Sequence, residues 1–323
     1  MSPTALLRLA ASQLSPAGRR SRLSILIYHR VLSKPDAMLE GEVDIAAFDW
    51  QMDVLARNFN VLPLVEAVQR LRARSLPARA AAITFDDGYA DNVENALPVL
   101  RRYGLNATFF IATAYLNGGR MWNDSIIEAV RRSPEPMLDL SSLDLGYYPI
   151  ARVEERCETA TALIRDLKHR PQAERRRLTQ GICEIVGTEL PESLMMRDGQ
   201  VRELCEAGME IGAHTATHPI LARLNAQEAR SDIVSGREYL ATLTGQPVEL
   251  FAYPNGFPQR DYTAEHVQMV RDLGFKAAVS TAWGAGTADS DFLQLPRFTP
   301  WDATPWRFLL RLVLNYRQHT QVA

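Results

Sequence analysis

The run Ala81-Ala82-Ile83-Thr84-Phe85 breaks off into Asp86-Asp87-Gly88. An apolar, β-forming segment this short reads as a buried strand, and its polar end as the rim of a sheet or barrel. Successive strand residues point to opposite faces, so Asp86 and Asp87 are not equivalent; one is free to face a metal while the other faces substrate or water. Asp-Gly is also a common hairpin turn, which leaves a surface turn open for this stretch taken alone.

The same punctuation recurs along the chain. Leu23–Tyr28 is apolar and ends in His29-Arg30, and further short strands are expected at 61–62, 106–111, 209–213, 248–253, 276–280 and 293–295. Helical spacing of apolar residues covers 48–59, 65–71, 201–207 and 264–273. Pro98 sets a helix start or kink within the stripe Val93, Ala96, Leu97, Leu100, and Asn225-Ala226-Gln227-Glu228 is a capping-box start for a helix to about Leu243. Repeated strand–helix units argue for an α/β protein with a parallel sheet, open or closed into a barrel. We read one barrel-like domain over 23–303. A charged, helical insertion interrupts it at about 122–200, with a hairpin near 138–148. The basic run Arg175-Arg176-Arg177 within the insertion reads as a solvated helix face. Residues 304–323 form a closing amphipathic helix and tail.

A formal net charge of −2 is not that of a nucleic-acid-binding chain, which is usually basic. Cys157, Cys183 and Cys205 are odd in number and form no CxxC pair, which argues against a disulfide framework and a cysteine zinc site. Residues 1–22 place an apolar patch, Ala5-Leu6-Leu7, ahead of Arg19, Arg20 and Arg22, the reverse of a secretory signal. They read as an amphipathic, basic segment suited to weak peripheral contact with an anionic membrane surface. No stretch reaches the 18 or so apolar residues of a membrane span. The expectation is a soluble, cytoplasmic protein, peripheral to the inner membrane at most.

About 130 residues after the two acids comes His214-Thr215-Ala216-Thr217-His218, again at a strand end. Histidines four apart share one face of a helical turn, close enough for a common metal ion. Asp87, from another strand end on the same rim, completes a two-histidine, one-carboxylate set with open positions for water. Zinc suits hydrolysis there, and the same donors accept cobalt, nickel or iron. A metal polarises a carbonyl and lowers the pKa of water, but a base must still take the proton; Asp86 is placed for that role.

With both motifs in view, the sequence resembles the polysaccharide deacetylases, the NodB-homology group also called carbohydrate esterase family 4. Thr84-Phe85-Asp86-Asp87-Gly88 is similar to the family's first motif and His214–His218 to its second, and the likeness runs over roughly 24–300. It implies a distorted (β/α) barrel, a divalent metal on Asp87, His214 and His218, Asp86 as general base, and an N-acetylated amino-sugar glycan as substrate.

Two later motifs depart from the family pattern. Arg-x-Pro-Tyr-Gly becomes Ala252-Tyr253-Pro254-Asn255-Gly256, which removes the arginine that orients the base and leaves the Asn255 N–H as oxyanion donor. Leu-x-His becomes Leu295-Pro296-Arg297, which removes the histidine that donates the proton; an arginine is a poor acid. Tyr28-His29-Arg30-Val31 resembles the opening of the exopolysaccharide deacetylases, such as those acting on poly-N-acetylglucosamine, and makes His29 the candidate acid. Arg297 is then assigned to Asp86, or to a substrate carboxylate. Trp122-Asn123-Asp124 suits stacking on a sugar ring or anchors the insertion; Trp283 and Trp301 carry the same two readings. His169, His266 and His319 read as surface residues.

The leading expectation is a metal-dependent amidase on an N-acyl amino sugar, a nucleotide- or lipid-linked precursor more than a finished polymer. The alternatives are release of another acyl group such as formyl, action on a non-sugar amide, a non-catalytic glycan-binding descendant, and a structural partner of membrane-bound glycan machinery.

Overall fold

The computed structural model describes residues 3–318 and 320–323, so His319 lies outside it. The strands are β1 (Leu23–Tyr28), β2 (Val31–Leu32), β3 (Val43–Asp44), β4 (Asn60–Val61), β5 (Ala80–Phe85), β6 (Thr108–Ile111), β7 (Met137–Asp139), β8 (Tyr147–Pro149), β9 (Glu210–Ala213), β10 (Leu250–Ala252) and β11 (Ala277–Val279). Among the described residues one sheet takes the order β1-β5-β6-β9-β10-β11, with β4 beside the start of β5. Every pairing within it is parallel. The β7–β8 pair is the hairpin expected in the insertion.

The sheet curls until its two edges meet across one irregular segment. Ala278 N donates to Phe292 O and Ser280 N to Leu295 O, both at 2.9 Å. A few residues on, Ile27 N donates to Phe298 O at 3.0 Å, and Phe298 N to Ile25 O at 2.7 Å. The strand expected at 293–295 is therefore a bridging stave, bonded to β11 and then to β1. The result is the distorted α/β barrel that the family resemblance implied, and it closes the sheet that the strand–helix alternation had left open or closed.

Side-chain alternation sorts the strands into two cores. Leu23, Ile25, Ala80, Ala82, Phe110, Leu250, Ala252 and Val279 fill the barrel, and the helix Leu64–Arg72 plugs it from one side. Leu26, Tyr28, Ile83, Phe85, Phe109 and Phe251 face outward into the helical layer. Burial on both faces explains why these strands read as continuous apolar runs. Ala80, Ala82 and Ala252 make room for the larger side chains of this narrow interior; a Cβ on Gly212 would collide with the Phe110 ring.

Register sets the level of the rim. Tyr28 pairs with Phe85, so His29 and Asp86 leave the sheet side by side. Ile111 pairs with Ala213 and Ala213 with Phe251, which brings His214 beside Ala252.

The insertion closes over this rim with a core of its own, built from Ile126, Leu140, Ile150, Leu163, Leu178 and Ile182. Its helices are Trp122–Arg132, Val153–Leu167 and Gln172–Val186, followed by Asp198–Glu206 where the sheet resumes. Of the basic run, Arg176 and Arg177 are exposed as expected, whereas Arg175 is buried, donates from Nη1 to Lys168 O at 3.1 Å, and lies over the Trp122 ring. His266 is likewise buried, because its Nδ1 accepts from Thr263 N at the start of the helix Ala264–Asp272. His169 is exposed.

The helix Pro3–Leu14 packs on the closing helix Pro305–Asn315, burying Ala11 and leaving Leu6 and Leu9 exposed. Among the described residues no helix is long and apolar enough to cross a membrane.

Candidate active site and metal centre

A cavity of about 270 Å³ opens at the carboxyl ends of the strands, lined by His29, Asp86, Asp87, His214, His218 and Asn255. These six residues, singled out from the sequence on four separate segments, meet because parallel strands deliver their ends to one rim.

Asp87, His214 and His218 place their candidate ligand atoms within 4.8 Å of one another. Asp87 Oδ1 is 3.4 Å from Nε2 of each histidine. That is longer than the about 2.7–2.9 Å of a charge-assisted hydrogen bond. His214 Nδ1 lies 2.8 Å from Ala252 O, a carbonyl that can only accept, so Nδ1 donates there and Nε2 is the nitrogen turned toward Asp87. Burial lowers the His218 pKa to about 4, so its imidazole is neutral at pH 7. Asp87 Oδ1 is buried and has no hydrogen-bond partner. Two imidazole nitrogens and an orphaned carboxylate oxygen converging on one point are a donor set that a divalent cation completes.

The loop between the histidines is not the helical turn expected from their spacing. Thr215 and His218 have φ of 63° and 50°, and His218 N donates to Thr215 Oγ1 at 3.0 Å. The other amides go to Asp232: its Oδ1 accepts from Ala216 N at 2.8 Å and Thr217 N at 2.9 Å. Thr217 Oγ1 donates to Asp232 Oδ2 at 2.6 Å. A carboxylate on the helix Ala226–Thr244 thus replaces the helical carbonyls and sets where His218 points. Gly236 on the same helix lets Thr215 approach; a Cβ there would collide with the Thr215 carbonyl. Asp87 and Asn255 also take left-handed φ, 75° and 59°. Such backbone costs on the order of 1–3 kcal/mol per residue and clusters where side-chain placement matters more than local comfort.

Asp86 points into the top of the barrel interior, where Arg297 is buried beneath it. Arg297 Nη1 and Nη2 each donate to one Asp86 oxygen at 2.7 Å, and Nε donates to Ser280 O at 2.9 Å. Burial alone would raise the Asp86 carboxyl; the Arg297 guanidinium, by its charge and its hydrogen bonds, outweighs it and holds the group below the usual range. Asp86 Oδ2 is 3.9 Å from His214 Nε2, so base and candidate ligands share one space.

His29 lines the same cavity from the neighbouring strand end. Burial would depress its pKa, but Asp87, Glu42 and Asp86 together raise it, favouring the protonated form. Its backbone carbonyl accepts from Asn92 Nδ2 at 2.8 Å, which anchors the strand end. The Asn255 loop is tied down by Thr281, whose Oγ1 donates to Asn255 O at 2.8 Å.

Sequence reading missed Glu42, Tyr89, Lys168 and Thr281, which also line the cavity. Only Tyr89, directly after Asp86-Asp87-Gly88, carried a signal; the others come from loops and from the insertion. Asp232 had none, being one acid in a long helix. Trp122 and Asn123 line the cavity, whereas Asp124 is buried behind it and accepts from Tyr89 Oη at 3.0 Å. Trp283 and Trp301 are exposed and lie 5.0 Å apart, clear of the catalytic cavity lining.

A curled parallel barrel that brings a buried acid beside a histidine–aspartate cluster is a framework suited to hydrolysis. Comparison with known proteins narrows the class. The family described as polysaccharide deacetylase matches residues 73–136 and 174–278, more than half the chain, and the chain belongs to that family. It is an N-deacetylase of glycans. The putative polysaccharide deacetylase YxkH of Bacillus subtilis is 21% identical over 278 residues, 86% of this chain and 71% of its own. The Streptococcus pyogenes deacetylase PplD, solved in complex with acetate, superposes with a TM-score of 0.61 at 19% identity, covering 90% of this chain and 98% of its own. IcaB from Ammonifex degensii gives 0.58 at 19% identity, with 94% and 98% covered. At these identities the two superpositions speak for the fold alone.

Proposed function

We propose that this chain hydrolyses the acetamido group of an N-acetylated amino sugar, with a divalent metal, zinc first among the candidates, held by Asp87, His214 and His218. The observation that carries the reading is the convergence of that two-imidazole and carboxylate set with an Asp86 kept ionised by Arg297. When bound, the metal supplies Lewis-acid polarisation and a water of lowered pKa.

The chain's own residues account for the protons. Asp86 Oδ takes one from water as the oxygen adds to the amide carbon. The Asn255 N–H donates to the carbonyl oxygen as negative charge develops on it. The C–N bond breaks, the protonated His29 gives its proton to the leaving nitrogen, and acetate and a free amine remain. Arg297 orients Asp86 without touching substrate. Supporting the N-acetyl group over a formyl group or a non-sugar amide is family membership; supporting catalysis over glycan binding is the retention of Asp86 with its arginine.

The test is metal content of the purified protein beside His214→Ala, with acetate release from N-acetylglucosamine oligomers on the same samples. About one divalent ion per chain, lost in the variant together with acetate release, is expected. Absence of metal after reconstitution would overturn the proposal.

A further inference from the structure

A second cavity, of about 380 Å³, lies between the insertion and the rim loops around Tyr115 and Thr217, and shares Trp122 with the catalytic one. Its size falls within the roughly 300–1,000 Å³ of ligand pockets. The charged side chains lining it are Arg120, Arg175 and Arg176, and no Asp or Glu is among its lining residues.

These cations lack counter-ions. Arg175 is 6% exposed, yet its contacts are the Lys168 carbonyl and the Trp122 ring, 4.9 Å from guanidinium to centroid. Arg120 donates from Nε to Ser125 Oγ at 3.1 Å and from Nη1 to Pro191 O at 2.7 Å, neither of them charged. Elsewhere in the insertion Arg131, Arg132, Arg152 and Arg170 each face a carboxylate. Burying a guanidinium without an anion is unfavourable, and carbonyl and ring contacts offset only part of it. A second, independent sign is Thr179. It lines the same cavity at 7% exposure, and its Oγ1 is buried without a partner. A hydroxyl donor beside forked guanidinium donors is the chemistry that receives a carboxylate or phosphate.

The cavity is coupled to the catalytic site. Gln172 Nε2 donates to Thr217 Oγ1 at 3.1 Å, which fixes the arginine-bearing helix Gln172–Val186 to the loop that carries His218. Lys168, whose carbonyl holds Arg175, lines the catalytic cavity itself.

We propose that Arg120, Arg175, Arg176 and Thr179 form a subsite for an anionic substituent of the glycan, a carboxylate or a phosphate, beside the sugar being deacetylated. The assignment rests on reading the neighbouring cavity as the deacetylation site, and it narrows the substrate to acidic glycans or glycan phosphates.

The test compares three oligosaccharides of equal length on the full, metal-loaded chain. One is neutral oligo-N-acetylglucosamine, one alternates N-acetylglucosamine with a uronic acid, and one is the neutral oligomer with a terminal phosphate. We expect kcat/KM for one anionic form to exceed the neutral by about tenfold, the effect of one good charge-assisted contact. Which anionic arm gains identifies carboxylate or phosphate. In Arg176→Ala, and separately in Arg120→Gln, that ratio should fall toward one, with thermal melting confirming the fold. A wild-type ratio of one or less, or a ratio unchanged in both variants, overturns the subsite. If no oligomer releases acetate, the deacetylation reading fails separately, and calorimetric binding of the same three oligomers decides. Tighter anionic binding that weakens in the variants supports the subsite; equal or absent binding overturns it.

Discussion

Arg297 and Asp86, 211 residues apart in sequence, are joined by two parallel hydrogen bonds of 2.7 Å inside the barrel. The bridging stave that closes the sheet between β11 and β1 brings the arginine there, so closure of the fold and orientation of the proposed base are one event.

Removing that guanidinium leaves a buried, uncompensated carboxylate. Arg297→Ala is expected to lose about 3–5 kcal/mol of stability, the usual consequence of breaking a buried pair from one side. Activity should fall through kcat, by about 10²-fold or more, with KM little changed, because Arg297 acts on substrate only through Asp86. Arg297→Lys restores the charge but not the fork, and should recover only part of kcat. Steady-state kinetics beside a melting curve check all three; an equal loss in KM would assign Arg297 to substrate instead.

His29 as proton donor predicts dependence on the leaving group. His29→Gln should slow amide hydrolysis by about 10²–10⁴-fold. An activated aryl acetate, whose leaving oxygen needs no proton, should lose far less. Parallel losses on the two substrates would remove the acid assignment.

Gly236 is the point where a helix meets the metal-ligand loop. The methyl of Gly236→Ala should push Thr215 and with it His214 and His218, lowering metal affinity by about 10–100-fold, as loss of a supporting contact typically does. Competition with a chromogenic chelator measures this directly. Undiminished affinity would show that the helix retreats instead of the loop.

Asp124 makes stability depend on pH. Burial pushes its carboxyl up to about 7, against about 3.9 in an unfolded chain. The folded form therefore holds a proton that the unfolded form has released between these values. The contribution is fully present below pH ~4 and is lost as pH rises through ~7, by at most about 1.4 kcal/mol per unit. Asp124→Asn, which keeps an acceptor for Tyr89 Oη, should flatten this slope and be the more stable form at pH 8. Denaturant melts at pH 5 and 8 decide; parallel curves for both proteins would refute it.

Much of this was legible beforehand because the relevant signals are local. A strand buried on both faces must be apolar and short, so Leu23–Tyr28 and Ala80–Phe85 announced themselves, as did the acids and histidines that follow such runs. The turn between His214 and His218 was not legible, since spacing alone suits a helical turn equally well. Asp232, from another element, takes the amides that a helix would have bonded internally. Arg175 and His266 were misplaced for a similar reason: a charged or polar residue on a helix is buried only if a distant group satisfies it, and neither the Lys168 carbonyl nor the Trp122 ring can be read from a run of arginines.

By itself the sequence determined the α/β alternation, the seven residues proposed for chemistry and the family to which the chain belongs, because each is written in a contiguous motif. Only the tertiary structure decided that Arg297 serves Asp86, that the barrel closes through an irregular stave, and that Arg120, Arg175 and Arg176 share a cavity without an acid. Those facts depend on distances between segments far apart in the chain, and side-chain pattern along one segment carries no information about which partner waits across the fold.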